Sequence, residues 1–383
     1  MLPFTYALRN LFRDKSRLAQ TVGGSALVVL LVMAAGALNN GMTEVLSASG
    51  SPLNAILLGA GSEESIQRSE IPERTAGIAG AAVQGVAKPL GTTAVSTEIQ
   101  YMTYLETAPG TRSPGVFRGV TPQALLVHPE VRLLEGRFPA AGEVMVGRLA
   151  WRKLHLTAAQ LKPGTRLRLD GSDVTVSGTF AAPGTVLESE VWAPLSDIRM
   201  LAQRETVSCV VLRLETPDDF AEADLFSKQR LDLELTAIRE SDYYAALSSF
   251  FRPLRVMTWI TAGLVAAGAV FGGLNTLYAA FASRIRELAT LQAIGFTRRI
   301  ILLSLIQESL LACLVGTLVA SVLAILFLDG RTIPFSIGAF TVAITPQIAC
   351  AGLVTGTLLG VFGALPPALR CLRPPLPIAL RSA

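Results

Sequence analysis

The sequence predicts an α-helical membrane protein with four transmembrane helices and a large mixed α/β domain inserted between the first and second of them. The chain of 383 residues is 51% hydrophobic and only 16% charged, with a mean hydropathy of +0.48, whereas about a quarter of the residues of soluble domains are charged. Its long apolar runs are confined to the first 46 residues and to the region beyond residue 255. The intervening stretch of roughly 200 residues is long enough to build a core of its own.

The chain begins with an amphipathic segment followed by an apolar run. Phe4, Leu8, Leu11 and Phe12 share one face of a helix, and the basic side chains lie off that face. Such a helix is expected to lie along a membrane surface. The run 18–38 has no charged residue and is long enough for a first crossing. A cleaved signal peptide is the alternative, because small residues follow the apolar core.

Residues 45–250 are predicted to form the mixed α/β domain, because short β-rich runs alternate with turn signals and helical stretches. The predicted strands are 54–58, 95–105, 116–120, 143–146, 165–169, 173–180, 190–193 and 207–214. The predicted helices are 148–155, 194–203 and 217–230. The segment 61–91 is rich in Ala, Gly and Ser and is expected to be loosely structured or loop-like. Residues 241–255 are expected to run as one helix into the second crossing and to couple the domain to the membrane.

Two further apolar runs flank a short charged segment at 284–299. Each run is long enough to span, and the second carries only one charge, Glu308. The charged segment contains four arginines, namely Arg284, Arg286, Arg298 and Arg299. The positive-inside rule therefore places this turn in the cytoplasm. A fourth apolar run and an arginine-containing tail place both termini on the same side and the inserted domain outside.

These observations divide the chain into nine segments. The predicted boundaries are an amphipathic helix at 1–17, a first span at 18–44, the inserted domain at 45–250, a second span at 251–283, the charged segment at 284–299, a third span at 300–328, a short outer loop at 329–346, a fourth span at 347–369 and a tail at 370–383.

The sequence contains no motif for catalysis. The phosphate-binding pattern G-x-x-x-x-G-K-[ST] is absent, so this chain does not hold a nucleotide by that route. His128 and His155 lie apart, without H-E-x-x-H or G-x-S-x-G, and the four cysteines have neither zinc nor disulfide spacing. No basic stripe with interleaved aromatic residues indicates nucleic-acid binding. We therefore expect no catalytic residue, no metal site and no cofactor bound by this chain.

Glu308 is the sole charged residue within the apolar runs of the predicted spans. Proton-coupled carriers keep such groups near the middle of the bilayer, but Glu308 lies about two helical turns from the interface. A structural role is therefore favoured, in which Glu308 accepts hydrogen bonds from Arg298, Arg299 or a neighbouring helix N-terminus.

The glycines of two spans recur at intervals of four. Gly268 and Gly272 form one G-x-x-x-G pair, and Gly352, Gly356 and Gly360 repeat the spacing in the fourth span. Small residues at this spacing let helices approach closely in lipid. They predict either packing among the four helices of one chain or a homodimer seam.

The charged segment carries the most specific pattern. Leu288 and Ile294 contribute to an apolar face, Arg286 and Glu287 stay polar, and Gly295 permits a turn before the third span. The stretch resembles the loop of FtsX-like permeases of the MacB and LolC/LolE type, which reads R-x-x-E-L-x-x-L-x-A-x-G, then a basic pair and E-[SA] in the next helix. The matching residues are Arg284, Glu287, Leu288, Leu291, Ala293, Gly295, Arg298, Arg299, Glu308 and Ser309.

Other stretches also resemble this family. They are ALRNLFRDKSR near the start, FRGVTPQ, LLEGRFPAAGEVMVG, LKPGTRLRL, VSGTF and VWAPLSDI in the inserted domain, and PIALR near the end. The acidic residue that the family usually has before the alanine of the last stretch is missing.

The resemblance implies a non-catalytic permease subunit of an ABC transporter in the bacterial inner membrane. A separate cytoplasmic ATPase, which holds ATP and Mg²⁺, would bind the segment 284–299 as a coupling helix, and its work would reach the inserted domain. The coupling residues implied are Arg284, Arg286, Glu287, Leu288, Leu291, Ile294, Gly295, Arg298 and Arg299. Further partners implied are a second permease copy or a homologous permease, membrane lipids and a periplasmic adaptor protein.

Two functions remain open from the sequence. Export or extraction of a hydrophobic compound, peptide, glycolipid or lipoprotein is favoured, because the inserted domain is large. The alternative is signalling, in which the domain activates a periplasmic cell-wall hydrolase without transport. An anchored receptor without any ATPase is a third interpretation.

Overall fold

The computed structural model describes residues 4–108 and 111–375. The chain divides into two compact units. The membrane unit comprises Met1–Asn40, Pro253–Arg331 and Val342–Ala383, and the inserted domain comprises Gly41–Arg252 with Thr332–Thr341.

Helices and strands are numbered in chain order. The helices are α1 (Phe4–Arg13), α2 (Lys15–Ser49), α3 (Thr75–Ala82), α4 (Ala124–Val127), α5 (Ala150–Lys153), α6 (Leu195–Leu201), α7 (Phe220–Gln229), α8 (Glu240–Phe250), α9 (Arg252–Ala282), α10 (Ile285–Ala293), α11 (Arg298–Phe327) and α12 (Pro346–Cys371). The strands are β1 (Asn54–Gly59), β2 (Val95–Ala108), β3 (Thr111–Val120), β4 (Arg132–Gly136), β5 (Glu143–Gly147), β6 (Arg166–Leu169), β7 (Ser172–Ala181), β8 (Val191–Pro194), β9 (Cys209–Arg213), β10 (Leu235–Arg239), β11 (Thr332–Pro334) and β12 (Ala339–Thr341).

Within the described ranges, four helical stretches are long and apolar enough to cross a membrane. They are α2, the stretch Glu240–Ala282 that contains α8 and α9, α11 and α12. Together with the α/β domain between the first and later spans, they confirm the predicted fold class. Helix α2 is longer than the predicted span at both ends.

The glycines of α12 pack against other helices of the same chain. A Cβ atom added at Gly360 would lie 2.8 Å from Leu310 Cα on α11, and one at Gly352 would lie 3.0 Å from Met33 Sδ on α2. Gly356 meets Thr317 of α11 in the same way. By contrast, a Cβ at Gly268 or Gly272 of α9 would have no atom within 4 Å. Intramolecular packing therefore accounts for the α12 glycines and leaves the α9 pair open.

The described strands of the inserted domain form a ten-stranded mixed sheet. Its order is β10-β1-β9-β2-β3-β8-β5-β7-β4, and β6 pairs with both β2 and β7. The pairs β3–β8 and β5–β7 are parallel, and the other pairs are antiparallel. Alternating apolar residues such as Phe117, Val146 and Leu212 are buried in its core, as expected for strands with a period of two.

The segment 61–91 is irregular over much of its length, as predicted, but it is well packed and not loosely structured. It contains α3, and Ile71 and Ala79 are fully buried. Ile71 also forms an isolated bridge with Val207. A Cβ atom at Gly80 would lie 3.2 Å from Val95 Cγ2 on β2. The small side chains of this segment therefore permit close packing of α3 on the sheet.

The predicted outer loop 329–346 contains a β-hairpin that belongs to the inserted domain. Lys153 Nζ on α5 donates to the carbonyl oxygens of Phe335 and Ser336. The Phe335 ring centroid lies 5.9 Å from those of Phe251 and Phe340. The domain is thus connected to the membrane unit through this hairpin as well as through the ends of α2 and α8.

The helix predicted across 241–255 is interrupted at Phe251, between α8 and α9. Phe251 keeps a near-helical backbone, with φ −82° and ψ −2°. Pro253 follows, and proline has no N–H group to continue the helical hydrogen bonds. The break therefore falls at the boundary between the two units.

Candidate functional site

A chain of ion pairs connects α1, the start of α2, the α9–α10 linker, α10 and α11 within the membrane unit. Glu308 on α11 accepts hydrogen bonds from Arg17 and from Arg284, whose Nη1 lies 3.1 Å from Oε2. Arg284 Nε also donates to Glu287 Oε2 at 3.2 Å. Arg13 Nη1 lies 2.7 Å from the other oxygen of Glu287. Four helices of the membrane unit, α1, α2, α10 and α11, thus each contribute a charged side chain to these ion pairs.

The inner and outer pairs of this chain differ in burial. The side chain of Glu308 is 5% exposed, and those of Arg17 and Arg284 are 11% exposed. The outer pair is more exposed to solvent, since the side chain of Arg13 is 64% exposed and that of Glu287 is 40% exposed. Breaking a buried pair leaves an uncompensated charge and costs about 3–5 kcal/mol, whereas an exposed pair contributes about 0–1 kcal/mol. The Glu308 pairs therefore carry most of the energy.

The expected partners of Glu308, Arg298 and Arg299, are not those found in the described structure. They lie in the first turn of α11, and Arg298 is separated from Glu308 by a helix rise of roughly 15 Å. Arg17 and Arg284 come from other elements that reach the level of Glu308. A sequence signal existed for Arg17, since it is a cation immediately before an apolar run, but its pairing with one particular acid is a tertiary fact.

The apolar residues of α10 are divided between two environments. Leu288 is 2% exposed and packs in a cluster with Phe281, Ile301 and Leu305. Leu291 packs partly buried against the same cluster. Ile294 is 71% exposed. Leu288 therefore attaches α10 to the membrane unit, and its implied role as a contact for a partner stays a prediction.

The outer face of the α10 region is cationic. Arg286, Arg298 and Arg299 are exposed together with Ile294, and Gly295 has a φ of +109°, which glycine adopts without strain. Burial opposes ionisation of Glu287, but hydrogen bonds from Arg13 and Arg284 outweigh it, so the pKa of Glu287 lies below its ordinary value. A body that binds this face would act on α2 and α11 through the ion pairs and the Leu288 cluster.

The inserted domain contains a second, more deeply buried ionic cluster. Arg118 on β3 forms a bidentate pair with Glu190, both contacts being 2.7 Å, and its Nη1 lies 2.6 Å from Glu98 Oε2. His128 Nε2 lies 2.9 Å from the other oxygen of Glu98. Trp192 Nε1 donates to Glu190 at 3.1 Å. All five side chains are almost completely buried, so each charge depends on the others for compensation.

Glu240, the first residue of α8, extends this cluster to the ends of the domain. One oxygen of Glu240 lies 3.9 Å from His128 Nδ1. The other accepts hydrogen bonds from the Ser51 N–H at 3.1 Å and from Asn54 Nδ2 at 2.8 Å. A Cβ at Gly50 would lie 2.6 Å from Ser241 Cα. The segment that follows α2 and the start of α8 therefore meet at one carboxylate.

The charges of this cluster shift one another's pKa values. Burial would lower the pKa of His128, but Glu98, Glu130 and Glu240 raise it to about 10. Burial would raise the pKa of Glu98, but His128 and Arg118 hold it well below its ordinary value. Burial raises the pKa of Glu240, in spite of opposition from His128. His128 is therefore a structural cation at neutral pH.

We expect the inserted domain to lose stability as the pH rises from 7 towards 10. The folded pKa of His128 is raised, so its contribution is fully present below the unfolded value of about 6.5 and is lost as the pH rises through about 10. Chemical denaturation of the full-length protein in detergent, followed by tryptophan fluorescence, measures this. His128→Gln should flatten the alkaline dependence, and His155→Gln, a change at an exposed histidine, should not. An unchanged slope in His128→Gln would contradict the assignment.

Among the described residues, no group of three or more His, Cys, Asp or Glu side chains is arranged to hold a metal ion. Neither ionic cluster contains a nucleophile paired with a base.

Comparison with known families fits this architecture. The family described as MacB-like periplasmic core domain matches residues 18–224, which is more than half of the chain. The family described as FtsX-like permease C-terminal matches residues 259–376. The chain therefore belongs to the FtsX-like permeases with a MacB-like periplasmic core domain. These matches, together with the four helical stretches that could cross a membrane, confirm the resemblance seen in the sequence.

The individual proteins that this chain resembles share little sequence identity with it. The chain is 24% identical over 211 residues to an uncharacterized ABC transporter permease, YknZ, of Bacillus subtilis (strain 168), and the match covers 52% of each protein. The chain thus spans about half the length of this curated relative.

Two solved structures are also similar. The extracellular domain of the noncanonic ABC-type transporter YknZ from Gram-positive bacteria is 15% identical with a TM-score of 0.37, over 49% of this chain and 100% of that one. The periplasmic region of MacB from Actinobacillus actinomycetemcomitans is 11% identical with a TM-score of 0.39, over 52% of this chain and 94% of that one.

Proposed function

We propose that this chain is the non-catalytic membrane subunit of an ATP-driven complex and transmits the work of a separate ATPase to the inserted domain. The ATPase, with its ATP and Mg²⁺, binds the exposed face of the α10 region. The observation that carries this proposal is the division of α10. Leu288 and Glu287 fasten it to α1 and to the spans, while Arg286 and Ile294 face outwards.

The topology follows from the charges. The exposed arginines of the α10 region and the basic end of α1 support a cytoplasmic location for this side of the bacterial inner membrane. Both termini lie there, and the inserted domain lies outside. A movement of α10 then reaches the domain along the helices α2 and α9 and along the hairpin after α11.

A second permease copy completes the complex. Along α9 the large side chains Trp259, Leu264 and Phe271 are exposed, and Gly268 has open space at its Cβ position. Such a small residue among large apolar ones suits close contact with another helix in lipid. A homologous permease would use the same face.

Export or extraction of a hydrophobic compound, peptide, glycolipid or lipoprotein is the favoured outcome of this motion. A domain with a mixed sheet of this size, attached to the spans at three places, offers a surface for substrate and for a periplasmic adaptor. The signalling alternative, activation of a cell-wall hydrolase, would use the same mechanics.

Co-purification tests the proposal. We expect Arg286→Glu to reduce recovery of the ATPase encoded beside this chain by about 10-fold, equivalent to about 1.4 kcal/mol, since a reversed charge at an interface opposes a complementary partner. Arg132→Glu, at an exposed arginine of β4 in the inserted domain, is the matched control and should leave recovery unchanged.

Equal recovery with both variants would contradict the assignment of the α10 face, and absence of any ATPase would contradict the function. Proteins that co-purify on the outer side separate the remaining alternatives. An adaptor or a lipoprotein chaperone supports export, and a cell-wall hydrolase supports signalling.

A further inference from the structure

A cavity of about 260 Å³ lies within the membrane unit, between α2, α9, α11 and α12. Its walls include Gly24 on α2, Gly272 and Gly273 on α9, and Ser309 and Cys313 on α11. All of these positions lie in helices that span the membrane. The cavity therefore lies among the membrane-spanning helices and is partly open at their surface, where Gly24, Gly272 and Gly273 are exposed.

Glycine residues on α2 and α9 leave this space open. A Cβ atom at Gly24, Gly272 or Gly273 would have no heavy atom within 4 Å. Elsewhere in the unit glycine has the opposite effect, since the α12 glycines bring helices into contact. Here α2 and α9 stay apart, although the glycines that line the gap have only a hydrogen atom in place of a side chain. An unfilled gap of this kind forfeits dispersion contacts along its whole lining, so something must fill it.

The walls suit an alkyl chain. Val28, Val270 and Leu359 contribute apolar surface. Two of the hydroxyl groups there are satisfied within their own helices, since Ser25 Oγ donates to the Val22 carbonyl at 3.1 Å and Thr276 Oγ1 to the Gly272 carbonyl at 3.1 Å. The remaining polar side chains of the lining include Gln20, Thr21 and Ser309, whose Oγ has no hydrogen-bond partner among the described residues, but most of the lining surface is apolar.

We propose that this cavity binds one acyl chain of a membrane phospholipid. Acyl chains are the material that surrounds the spans, and they supply methylene groups without a polar group to desolvate. The alternative occupant, a helix of a second copy, fits less well. Gly268, which shares the G-x-x-x-G spacing with Gly272, does not line the cavity, so a helix packed along that motif would lie outside it. The acyl chain occupies the space between α2 and α9 and keeps the two helices apart.

Photocrosslinking with a phosphatidylethanolamine that carries a diazirine in its acyl chain tests this on the full-length protein in lipid discs. Adducts are located by peptide mass spectrometry. We expect adducts on Ser309 and Cys313, which are only 3% and 4% exposed and are beyond the reach of the lipid that surrounds the protein. Leu318, an exposed residue of the same helix, reports the surrounding lipid.

A cavity-filling variant sharpens the result. Gly272→Leu should reduce the adducts on Ser309 and Cys313 by about 10-fold, a loss of about 1.4 kcal/mol of binding, and leave those on Leu318 unchanged. Gly268→Leu adds the same bulk to the same helix outside the cavity and should preserve them. Gly24→Val, on the opposite wall, provides the same test if Gly272→Leu does not fold.

Adducts confined to Leu318 in the unsubstituted protein would overturn the proposal, as would adducts on Cys313 that persist in Gly272→Leu. In a separate reaction without the diazirine lipid, bis-maleimide crosslinking of two protein chains through Cys313 would assign the cavity to a second copy instead. None of these outcomes depends on the ATPase, so the result is separate from the test of the proposed function.

Discussion

Glu308→Gln is expected to destabilise the membrane unit by about 3–5 kcal/mol, because Arg17 would keep its buried charge without a carboxylate and Arg284 would keep only its pair with Glu287. Glutamine retains the shape of the side chain, so the loss reports the charge. The measurement is the fraction of monodisperse protein that survives heating in detergent. Gln307→Ala, at the exposed neighbouring residue, should behave as the unsubstituted protein does. Equal survival of Glu308→Gln would show that the pairs contribute little.

A compensated variant separates stability from transmission. The triple substitution Arg17→Met, Arg284→Met and Glu308→Leu removes all the charges of the buried pairs, and replacement of a whole buried ionic group by apolar residues is often neutral or stabilising. We expect the thermal stability of the membrane unit to recover. ATP hydrolysis by the assembled complex should nevertheless be uncoupled from movement of the permease. Recovery of both properties would mean that the pairs only hold the helices together.

The second large effect is expected in the inserted domain. Arg118→Leu should lower its free energy of unfolding by about 3–5 kcal/mol, because Glu98 and Glu190 would both lose their guanidinium partner while fully buried. Denaturant titration of the full-length protein, followed by tryptophan fluorescence, measures the change, since Trp192 hydrogen-bonds to Glu190.

The matched control for Arg118→Leu lies on the same strand. Arg112 pairs with Glu106 on β2 at 2.6 Å, but its side chain is mostly exposed. Arg112→Leu should therefore cost only about 0–1 kcal/mol. If the two substitutions cost the same, burial of the cluster is not what makes it stabilising.

The spans and most strands were predictable because their signals are local. An apolar run of about 20 residues has few alternatives to a membrane helix, and alternation of apolar residues marks a half-buried strand. Strand β4 gave no such signal, since all five of its residues are exposed. The hairpin of β11 and β12 was unpredictable for another reason. Its attachment to the inserted domain depends on Lys153, a residue 182 positions away in the chain.

The candidate site was predictable only in outline. Its location followed from the pattern of Arg284 to Arg299, but its internal pairing did not, because Arg17 and Glu308 are 291 positions apart. Periodicity also could not settle which apolar side chain of α10 faces inwards. Leu288 and Ile294 are six residues apart, which places them roughly 120° apart around a helix. Only the packing of α10 against α11 determines that Leu288 is the buried one.

The most direct test of transmission is the distance between a spin label at Leu231, exposed in the inserted domain, and one at Leu326, exposed on α11, in the complete complex in lipid discs. The account predicts that the distance distribution shifts when ATP is bound to a hydrolysis-deficient ATPase. It also predicts that the shift is lost in Arg286→Glu and retained in Arg132→Glu. An assembled complex whose distribution is the same with and without ATP would contradict it.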